Sequence, residues 1–284
     1  MAREQASTLR AQWLGQQLRE MRETAGLTLK DVGDYITRNA STVSRLESGV
    51  VAARVPEVLA YLDICGVDDP RRRTDLTTMA KDAWQKGWWD GFSADVVGSL
   101  IDWVWLESRA TAIYSFQMGV IPGLLQTREY AHALISAADI EASTAQVARF
   151  VELRIERQRR LDVGAGLKFS AILDEGALHR AVGGPEVMRA QLSRLRELAG
   201  HQHVEIMVLP AAAGAHASPD GPFDVFRMAQ PYPSAACVAT AAGTLVVEGD
   251  KAERLVRAYD RLRNVALREQ AALAFLSELE RRLE

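Results

Sequence analysis

Four residues in one short segment have side chains that could recognise the edges of DNA bases. Ala40, Ser41, Ser44 and Arg45 share the outward face of a helix predicted over residues 40–47. A guanidinium can donate two hydrogen bonds to guanine, a serine hydroxyl can bond to a base or a phosphate, and an alanine methyl can touch the thymine methyl. We predict that these four residues contact DNA bases.

A second set of polar residues surrounds this helix and suits phosphate groups. Its members offer hydroxyl, amide or guanidinium donors: Thr28, Arg38, Asn39, Thr42, Ser48 and Arg54. Contacts to phosphates position a protein on DNA without reading its sequence. The backbone amides at the start of the helix would add further favourable contacts to an anion.

The pattern around these residues predicts two short helices joined by a tight turn. Thr28 and Asp31 form an acidic variant of the capping box before the first helix, and Asn39 is a good cap for the second. The apolar positions that face inward are Leu29, Val32 and Ile36 in the first helix and Val43 and Leu46 in the second. Such a pair of helices can place the second in the major groove, which is about 12 Å wide.

Tryptophans are concentrated in one part of the chain. Five of the six lie within a span of about twenty residues: Trp84, Trp88, Trp89, Trp103 and Trp105. Large rings supply much of the buried area where two units meet. We therefore favour a buried domain junction for these residues, with an effector pocket as the alternative.

Other polar clusters predict neither a metal site nor an active site. His179 follows Asp174 and Glu175 within about one helical turn, which supplies too few metal ligands, and the pair His201 and His203 precedes a predicted strand. The sequence contains no GxSxG elbow, P-loop, HExxH motif or GxGxxG motif. We expect a protein that is not an enzyme and that needs no cofactor or metal.

An arginine-rich helix is predicted over residues 142–161. Its positive and negative side chains alternate, a pattern that usually belongs to a solvated, ion-paired face. We prefer that interpretation to the alternative, in which the arginines contact DNA phosphates or the acidic surface of a partner.

Composition restricts the class of protein. The net charge is -3, and residues 1–65 contain equal numbers of basic and acidic side chains, so DNA binding depends on local arginine placement. No apolar run reaches the roughly 18 to 20 residues that a membrane-spanning helix needs, and the two cysteines make no disulfide framework. We expect a cytoplasmic protein without a membrane partner.

Residues 9–68 resemble the Xre and lambda-repressor type of helix-turn-helix family. The resemblance rests on Leu27 and Thr28, on the STVSRLE text of Ser41–Glu47, and on Gly49. It implies DNA binding, and it implies an ion pair between the first two helices, here Arg22 with Asp31. Two positions depart from the family pattern, since Leu29 replaces a glutamine that contacts phosphate and Gly33 replaces an alanine.

From about residue 80 the chain looks like a regulator family of actinobacteria described as Scr-type toxin-antitoxin antitoxin-like proteins. The matching text includes Gly87-Trp88-Trp89, Val120–Ala131, Arg154–Leu161, Leu173–Leu178 and Val208-Leu209-Pro210. This resemblance implies transcriptional control together with a small companion protein encoded nearby, and it says little about a small ligand.

These patterns predict a mainly helical protein in three parts. Residues 1–68 form a helix-turn-helix DNA-binding bundle, residues 69–95 a helical tryptophan-rich bridge, and residues 96–284 an α+β effector and assembly domain with a small sheet and a long C-terminal helix. Within the last part, residues 99–115 and 123–138 are predicted to be helical. Strands are predicted over residues 167–173, 204–209, 223–228, 235–239 and 244–247.

The predicted function is sequence-specific transcription regulation by a homodimer on double-stranded DNA. One recognition helix covers only a few base pairs, so two copies on a pseudo-palindromic operator would supply enough contacts. The apolar stripe of the C-terminal helix or the tryptophan-rich bridge would form the dimer interface. Two alternatives stay open: an antitoxin-like protein that binds a small companion and regulates its own gene, and a sensor gated by an unidentified small molecule.

Overall fold

The computed structural model describes residues 7–92, 98–138, 141–162, 164, 166–240 and 243–283. It divides into two compact units, Met1–Asp102 and Trp103–Glu284. Residues 69–95, predicted as a bridge, therefore fall within the first unit.

Short helices build the first unit. In chain order they are α1 (Leu9–Thr24), α2 (Leu29–Tyr35), α3 (Ala40–Glu47), α4 (Val55–Ile64) and α5 (Pro70–Trp84), followed by a 3-10 turn at Trp88–Phe92. The core collects one apolar stripe from each helix, and its fully buried members include Leu14, Leu18, Val32, Val43, Val58, Leu62 and Leu76. A further helix, α6, covers Gly98–Arg109.

The predicted helix boundaries around the turn are confirmed. The Thr28 hydroxyl accepts from the Asp31 N–H while the Asp31 carboxylate accepts from the Thr28 N–H at 2.8 Å, which completes the capping box. The Asn39 side chain accepts from the Thr42 N–H at 2.7 Å and starts α3. Gly49 follows α3 with a φ of +69°, a conformation that glycine adopts without steric cost.

A six-stranded mixed sheet forms the centre of the second unit. Its strands are β1 (Ala110–Gln117), β2 (Lys168–Asp174), β3 (Val204–Leu209), β4 (Phe223–Met228), β5 (Ala235–Thr240) and β6 (Gly243–Glu248). They are arranged in the order β3-β2-β1-β4-β5-β6. The first three strands are parallel, and β4, β5 and β6 join antiparallel, so the sheet combines crossover connections with hairpins.

Among the described residues, six further α-helices belong to the second unit. They are α7 (Arg128–Ala138), α8 (Thr144–Gln158), α9 (Glu175–His179), α10 (Pro185–Leu198), α11 (Gly249–Val265) and α12 (Glu269–Arg281). One face of the sheet, including Phe116, Ile172 and Val225, packs with the Val256 and Tyr259 side of α11. The fold class predicted from the sequence is confirmed.

One predicted helix was wrong over about its last third. The segment predicted to be helical over residues 99–115 ends its helix at Arg109, and Ala110–Gln117 is strand β1 in the middle of the sheet. Ile113 and Phe116 of this strand are almost fully buried. A short apolar run that is buried on both faces carries no clear two-residue period, so its pattern does not distinguish helix from strand.

The apolar stripes of the C-terminal helices are covered within the second unit. Val256 and Leu262 of α11 belong to the sheet core, and α12, with Leu276 fully buried, packs against α10 and β3. One of the two surfaces expected to serve a dimer is thus already occupied. No helix among the described residues is both long enough and apolar enough to cross a membrane.

Candidate nucleic-acid interface

Helix α3 has two chemically distinct faces. Val43 and Leu46 are 0% and 2% exposed and hold the helix against the core. The four residues predicted to contact bases, Ala40, Ser41, Ser44 and Arg45, are all exposed. The structure therefore brings them together on one free surface of a short, capped helix, which is the arrangement that a major groove accepts.

A buried carboxylate fixes the C-terminal end of α3. Glu47 accepts hydrogen bonds from Arg22 Nε at 2.6 Å and Arg22 Nη2 at 2.9 Å, and from the hydroxyl of Tyr61. Arg22 lies on α1 and Tyr61 on α4, so this triad joins three helices. Arg22 Nη1 also donates to the carbonyl of Leu27 at 3.0 Å, just before α2.

The predicted pair of Arg22 with Asp31 was wrong. The Asp31 carboxylate accepts hydrogen bonds from Thr28 instead, and Arg22 forms an ion pair with Glu47. The hydrogen bond to Glu47 raises the pKa of the Arg22 guanidinium, and burial followed by the same carboxylate raises the pKa of the Tyr61 hydroxyl. Sequence reasoning missed Glu47, although its spacing of four residues from buried Val43 places it on the inward face.

Helix α1 approaches α3 at a glycine. A Cβ atom added to Gly15 would lie 2.5 Å from the carbonyl oxygens of Leu46 and Glu47. Gly33 has a similar role in α2, because its added Cβ would lie 2.7 Å from the carbonyl oxygen of Arg38. A side chain at either position would therefore clash with the backbone at one end of α3 or in the turn before it.

Several residues predicted to bind phosphates already make hydrogen bonds within the unit. The Thr28 hydroxyl donates to the Asp31 carboxylate at 2.7 Å, and the Thr42 hydroxyl donates to Asn39 Oδ1 at 2.9 Å. Ser48 Oγ donates to the carbonyl of Arg45 at 3.3 Å. For Asn39 the oxygen serves the cap, so a phosphate contact would come from its NH2 group.

Both arginines that are predicted to bind phosphates contact Glu57. Arg38 Nη2 lies 3.2 Å from Glu57 Oε1, while Glu57 Oε2 accepts from the backbone N–H of Arg54 at 2.8 Å. The Arg54 guanidinium carbon lies over the ring of Trp84, 4.6 Å from the ring centroid. Both arginines are exposed, so positive charge is available beside the start of α4.

The five tryptophans are divided between the two units. Trp84 and Trp88 are 50% and 41% exposed, whereas Trp89 is 8% exposed and meets Trp88 edge to face at 5.8 Å. In the second unit, Trp103 meets Phe226 at 5.5 Å and Trp105 meets Tyr232 at 4.9 Å, again edge to face. The rings of Trp103 and Trp105 thus pack against residues of their own unit.

The prediction of a solvated face was wrong for several arginines of the segment 142–161, which forms α8 and the 3-10 turn Arg159–Leu161 after it. Arg157 is 8% exposed and binds the buried carboxylate of Glu107 through Nε at 2.8 Å and Nη2 at 2.6 Å. Arg154 donates to Gln126 Oε1 at 2.8 Å, and Arg160 donates to the carbonyls of Glu107 and Ala110. Partners distant in sequence satisfy these charges, and a local charge pattern does not reveal such partners.

Side-chain amides hold the loop at residues 121–127. Gln126 donates to the carbonyl of Ile121 at 2.7 Å, and Gln158 donates to the carbonyls of Gly123 and Gln126. Gln191 donates to the carbonyl of Leu125 at 2.8 Å and accepts from the Thr127 N–H at 2.7 Å. This network supplies hydrogen bonds to backbone groups of a segment that forms only one short 3-10 turn, Gly123–Leu125.

The histidines bond to individual neighbours. His179 lies 3.2 Å from Glu175, and His203 Nε2 lies 2.6 Å from the carbonyl of Leu161. The rings of His201 and His203 are 5.7 Å apart. Within the part of the chain that the structure describes, no three His, Cys, Asp or Glu side chains are grouped to hold a metal ion.

A buried carboxyl in β4 has a strongly altered proton affinity. Asp224 is 7% exposed, and Gln117 Nε2 donates to it at 3.1 Å. Burial raises the pKa of Asp224 to about 7, and nearby Glu107 adds to this effect, while hydrogen bonds from Ser115 and Gln117 and the charge of Arg157 oppose it. The folded chain therefore holds this proton more tightly than the unfolded chain.

This difference predicts that the stability of the second unit falls as pH rises. The unfolded carboxyl has an ordinary pKa of 3.8, so between pH 4 and 7 the folded state binds more protons and the free energy of unfolding decreases. We expect a decrease of at least about 1.4 kcal/mol, since each tenfold change in proton affinity corresponds to that amount. Urea unfolding at pH 5 and pH 8 would measure it. The Asp224→Asn variant should show a flatter profile, and an unchanged profile would contradict the assignment.

Comparison with known families agrees with this division of the chain. Residues 13–74 match a family model described as a helix-turn-helix domain, which supports a DNA-binding regulator. A search of curated proteins found no match. Residues 100–278, more than half of the chain, match a second family model, and the chain therefore belongs to the family described as a domain of unknown function (DUF5753).

Proposed function

We propose that the protein is a sequence-specific transcription regulator that acts by binding rather than by catalysis and binds its operator as a homodimer. The single observation that carries this proposal is the exposed face of α3, on which Ser41, Ser44 and Arg45 lie together while Val43 and Leu46 are buried. A helix-turn-helix presents base-reading side chains in this way. The text of Ser41–Glu47 supports the Xre type within the broader helix-turn-helix class.

Charge and size support two copies on the DNA. Residues 1–65 carry no excess of basic over acidic side chains, so nonspecific attraction to phosphates is weak for one copy. The eight residues of α3 span only a few base pairs. Two copies related by a two-fold axis would place their recognition helices about 34 Å apart on a pseudo-palindromic operator.

For the second unit, we propose that it governs DNA binding by engaging another protein. Strand β6 is at the edge of the sheet, and its Leu245 is 56% exposed. An edge strand offers unpaired backbone groups to which a partner can add a strand. This observation favours the antitoxin-like alternative, in which a small companion protein binds the regulator, over the small-molecule sensor.

A selection experiment tests the proposed DNA-binding function. The full-length protein would be incubated with a library of random 20-base-pair duplexes through several rounds, and the enriched duplex would be compared with a scrambled duplex of equal composition. We expect enrichment of a two-fold symmetric sequence and binding at least a thousandfold tighter than to the scrambled duplex, about the lower end for specific DNA binding. Lack of any enriched sequence would contradict the proposal.

Replacing Arg45 with alanine should weaken binding to the enriched duplex by about 1 to 3 kcal/mol and relax the preference at one base position. The guanidinium is exposed on the outward face of α3, where it can donate two hydrogen bonds to one guanine. Fluorescence anisotropy on a set of single-base variants of the duplex would measure both effects.

Arg19→Ala is the matched control for this prediction. It removes the same charge from an exposed position on α1, where Arg19 pairs with Glu23 one turn later. We expect no change in base preference for the control. Equal weakening of the Arg45 variant on every duplex would instead show that Arg45 contacts a phosphate.

A further inference from the structure

Trp84 holds two consecutive residues of the loop that precedes α4. Its indole Nε1 donates to the carbonyl of Ala53 at 3.2 Å, and its ring lies under the guanidinium of Arg54, 4.6 Å from ring centroid to Cζ. Ala53 is 2% exposed, so the loop is anchored at this point. Trp84, the final residue of α5, therefore fixes the position of the Arg54 side chain on the surface of the first unit.

Core packing does not explain this tryptophan. The buried residues of α5 include Leu76, Met79 and Ala80, whereas Trp84 is 50% exposed. The face of the ring instead serves Arg54, whose guanidinium carbon lies over it. The electron-rich face of an indole attracts a cation.

The contact with the ring leaves Arg54 able to bind an anion. Its guanidinium carbon lies over the face of the indole, which accepts no conventional hydrogen bond, so the guanidinium N–H groups stay available to an oxygen anion. Arg38 differs, since its guanidinium pairs with the carboxylate of Glu57 at 3.2 Å. Among the described residues, no carboxylate lies within ion-pair distance of the Arg54 guanidinium, whose contact is an uncharged ring. Arg54 thus keeps its full charge for a ligand.

We propose that Trp84 is a positioning residue that presents the Arg54 guanidinium to a DNA phosphate, and that Arg54 rather than Arg38 supplies the main phosphate contact beside α4. This inference rests on the proposed DNA-binding function. Orienting the guanidinium before binding reduces the rotamer entropy that an arginine loses when it contacts a phosphate.

The experiment measures the affinity of the full-length protein for the selected duplex, the one enriched in the selection above, at several salt concentrations. The single variants are Arg54→Ala, Arg38→Ala, Trp84→Leu and Trp84→Phe. A double variant combines Arg54→Ala with Trp84→Leu. The Trp88→Leu variant is the matched control, because Trp88 is a neighbouring tryptophan that is 41% exposed. Circular dichroism and thermal unfolding would verify that each variant keeps its fold.

We expect Arg54→Ala to reduce the slope of log affinity against log salt by about 1, the effect of one lost phosphate contact. Arg38→Ala should reduce it less. Trp84→Leu should weaken binding about two- to fivefold, which matches the strength of an exposed cation–π contact, while Trp84→Phe should keep most of the affinity. Adding Trp84→Leu to Arg54→Ala should cause no further loss, because the ring acts only through Arg54.

Three results would overturn the inference. One is wild-type affinity in Trp84→Leu, and another is a loss in the double variant equal to the sum of the two single losses. The third is a larger slope change for Arg38→Ala than for Arg54→Ala. In each of these cases the wild-type protein still binds the selected duplex, so the proposed function survives. If the wild-type protein selects no duplex, both the proposed function and this inference fail.

Discussion

Replacing Glu47 with alanine is expected to lower the free energy of unfolding of the first unit by about 3 to 5 kcal/mol. The carboxylate is 8% exposed and accepts two hydrogen bonds from Arg22 and one from Tyr61. Its removal leaves a guanidinium that is largely buried and loses its two short hydrogen bonds to a carboxylate, while the remaining contact, with the exposed Glu23, is long at 3.5 Å. Hydrogen exchange would localise the effect, with protection lost in α1, α3 and α4 and kept in the sheet of the second unit.

The exposed pair of Arg19 and Glu23 provides the control for this prediction. Glu23 accepts from Arg19 at 2.8 Å and lies 3.5 Å from Arg22 Nη2, but about half of the Glu23 side chain is exposed, so water replaces the lost contacts in Glu23→Ala. We expect little change in protection for that variant. Equal losses for the Glu23 and Glu47 variants would mean that the buried triad does not hold α3.

Replacing Gly15 with alanine should destabilise the first unit by about 3 kcal/mol, the upper part of the range for overpacking. In a helix that does not contact a neighbour, this change would stabilise by about 1 kcal/mol, because alanine has the higher helix propensity. The new Cβ would lie 2.5 Å from two backbone oxygens of α3, so the two helices must move apart. This clash outweighs the gain in helix propensity, and the net change in stability is negative. The midpoint temperature of thermal unfolding and the affinity for the selected duplex should both decrease.

Gly119→Ala is the matched control for the Gly15 variant. Apart from its chain neighbours, no atom lies within 4 Å of the position that its Cβ would occupy, and its φ is not positive. We expect that neither the midpoint temperature of thermal unfolding nor the affinity for the selected duplex changes. A stabilised Gly15→Ala variant would contradict the close approach of α1 to α3.

Local sequence features predicted the helix-turn-helix well, because its boundaries depend on residues a few positions apart. Thr28 with Asp31, and Asn39 with the Thr42 N–H, each form a cap whose partners lie three residues from one another. The outward and inward faces of α3 follow in the same way from the helical period.

Contacts between distant segments account for what the sequence did not reveal. Arg22 and Glu47 are 25 residues apart, and Arg157 and Glu107 are 50 residues apart, so no local pattern indicates either ion pair. The same holds for Ala110–Gln117, which becomes a strand because β2 and β4 lie on either side of it. Charge alternation in residues 142–161 suggested a solvated face, whereas the Glu107 carboxylate and backbone carbonyls accept hydrogen bonds from Arg157 and Arg160.

The separation of tasks within α3 has a consequence for how the protein can change. Val43, Leu46 and Glu47 hold the helix, while Ser41, Ser44 and Arg45 make no contribution to the core. Substitutions at the exposed positions should therefore cost little stability. Under the proposed function, the domain can therefore acquire a new target sequence during evolution, or be retargeted by engineering, through these exposed positions and without compensating changes elsewhere in the fold.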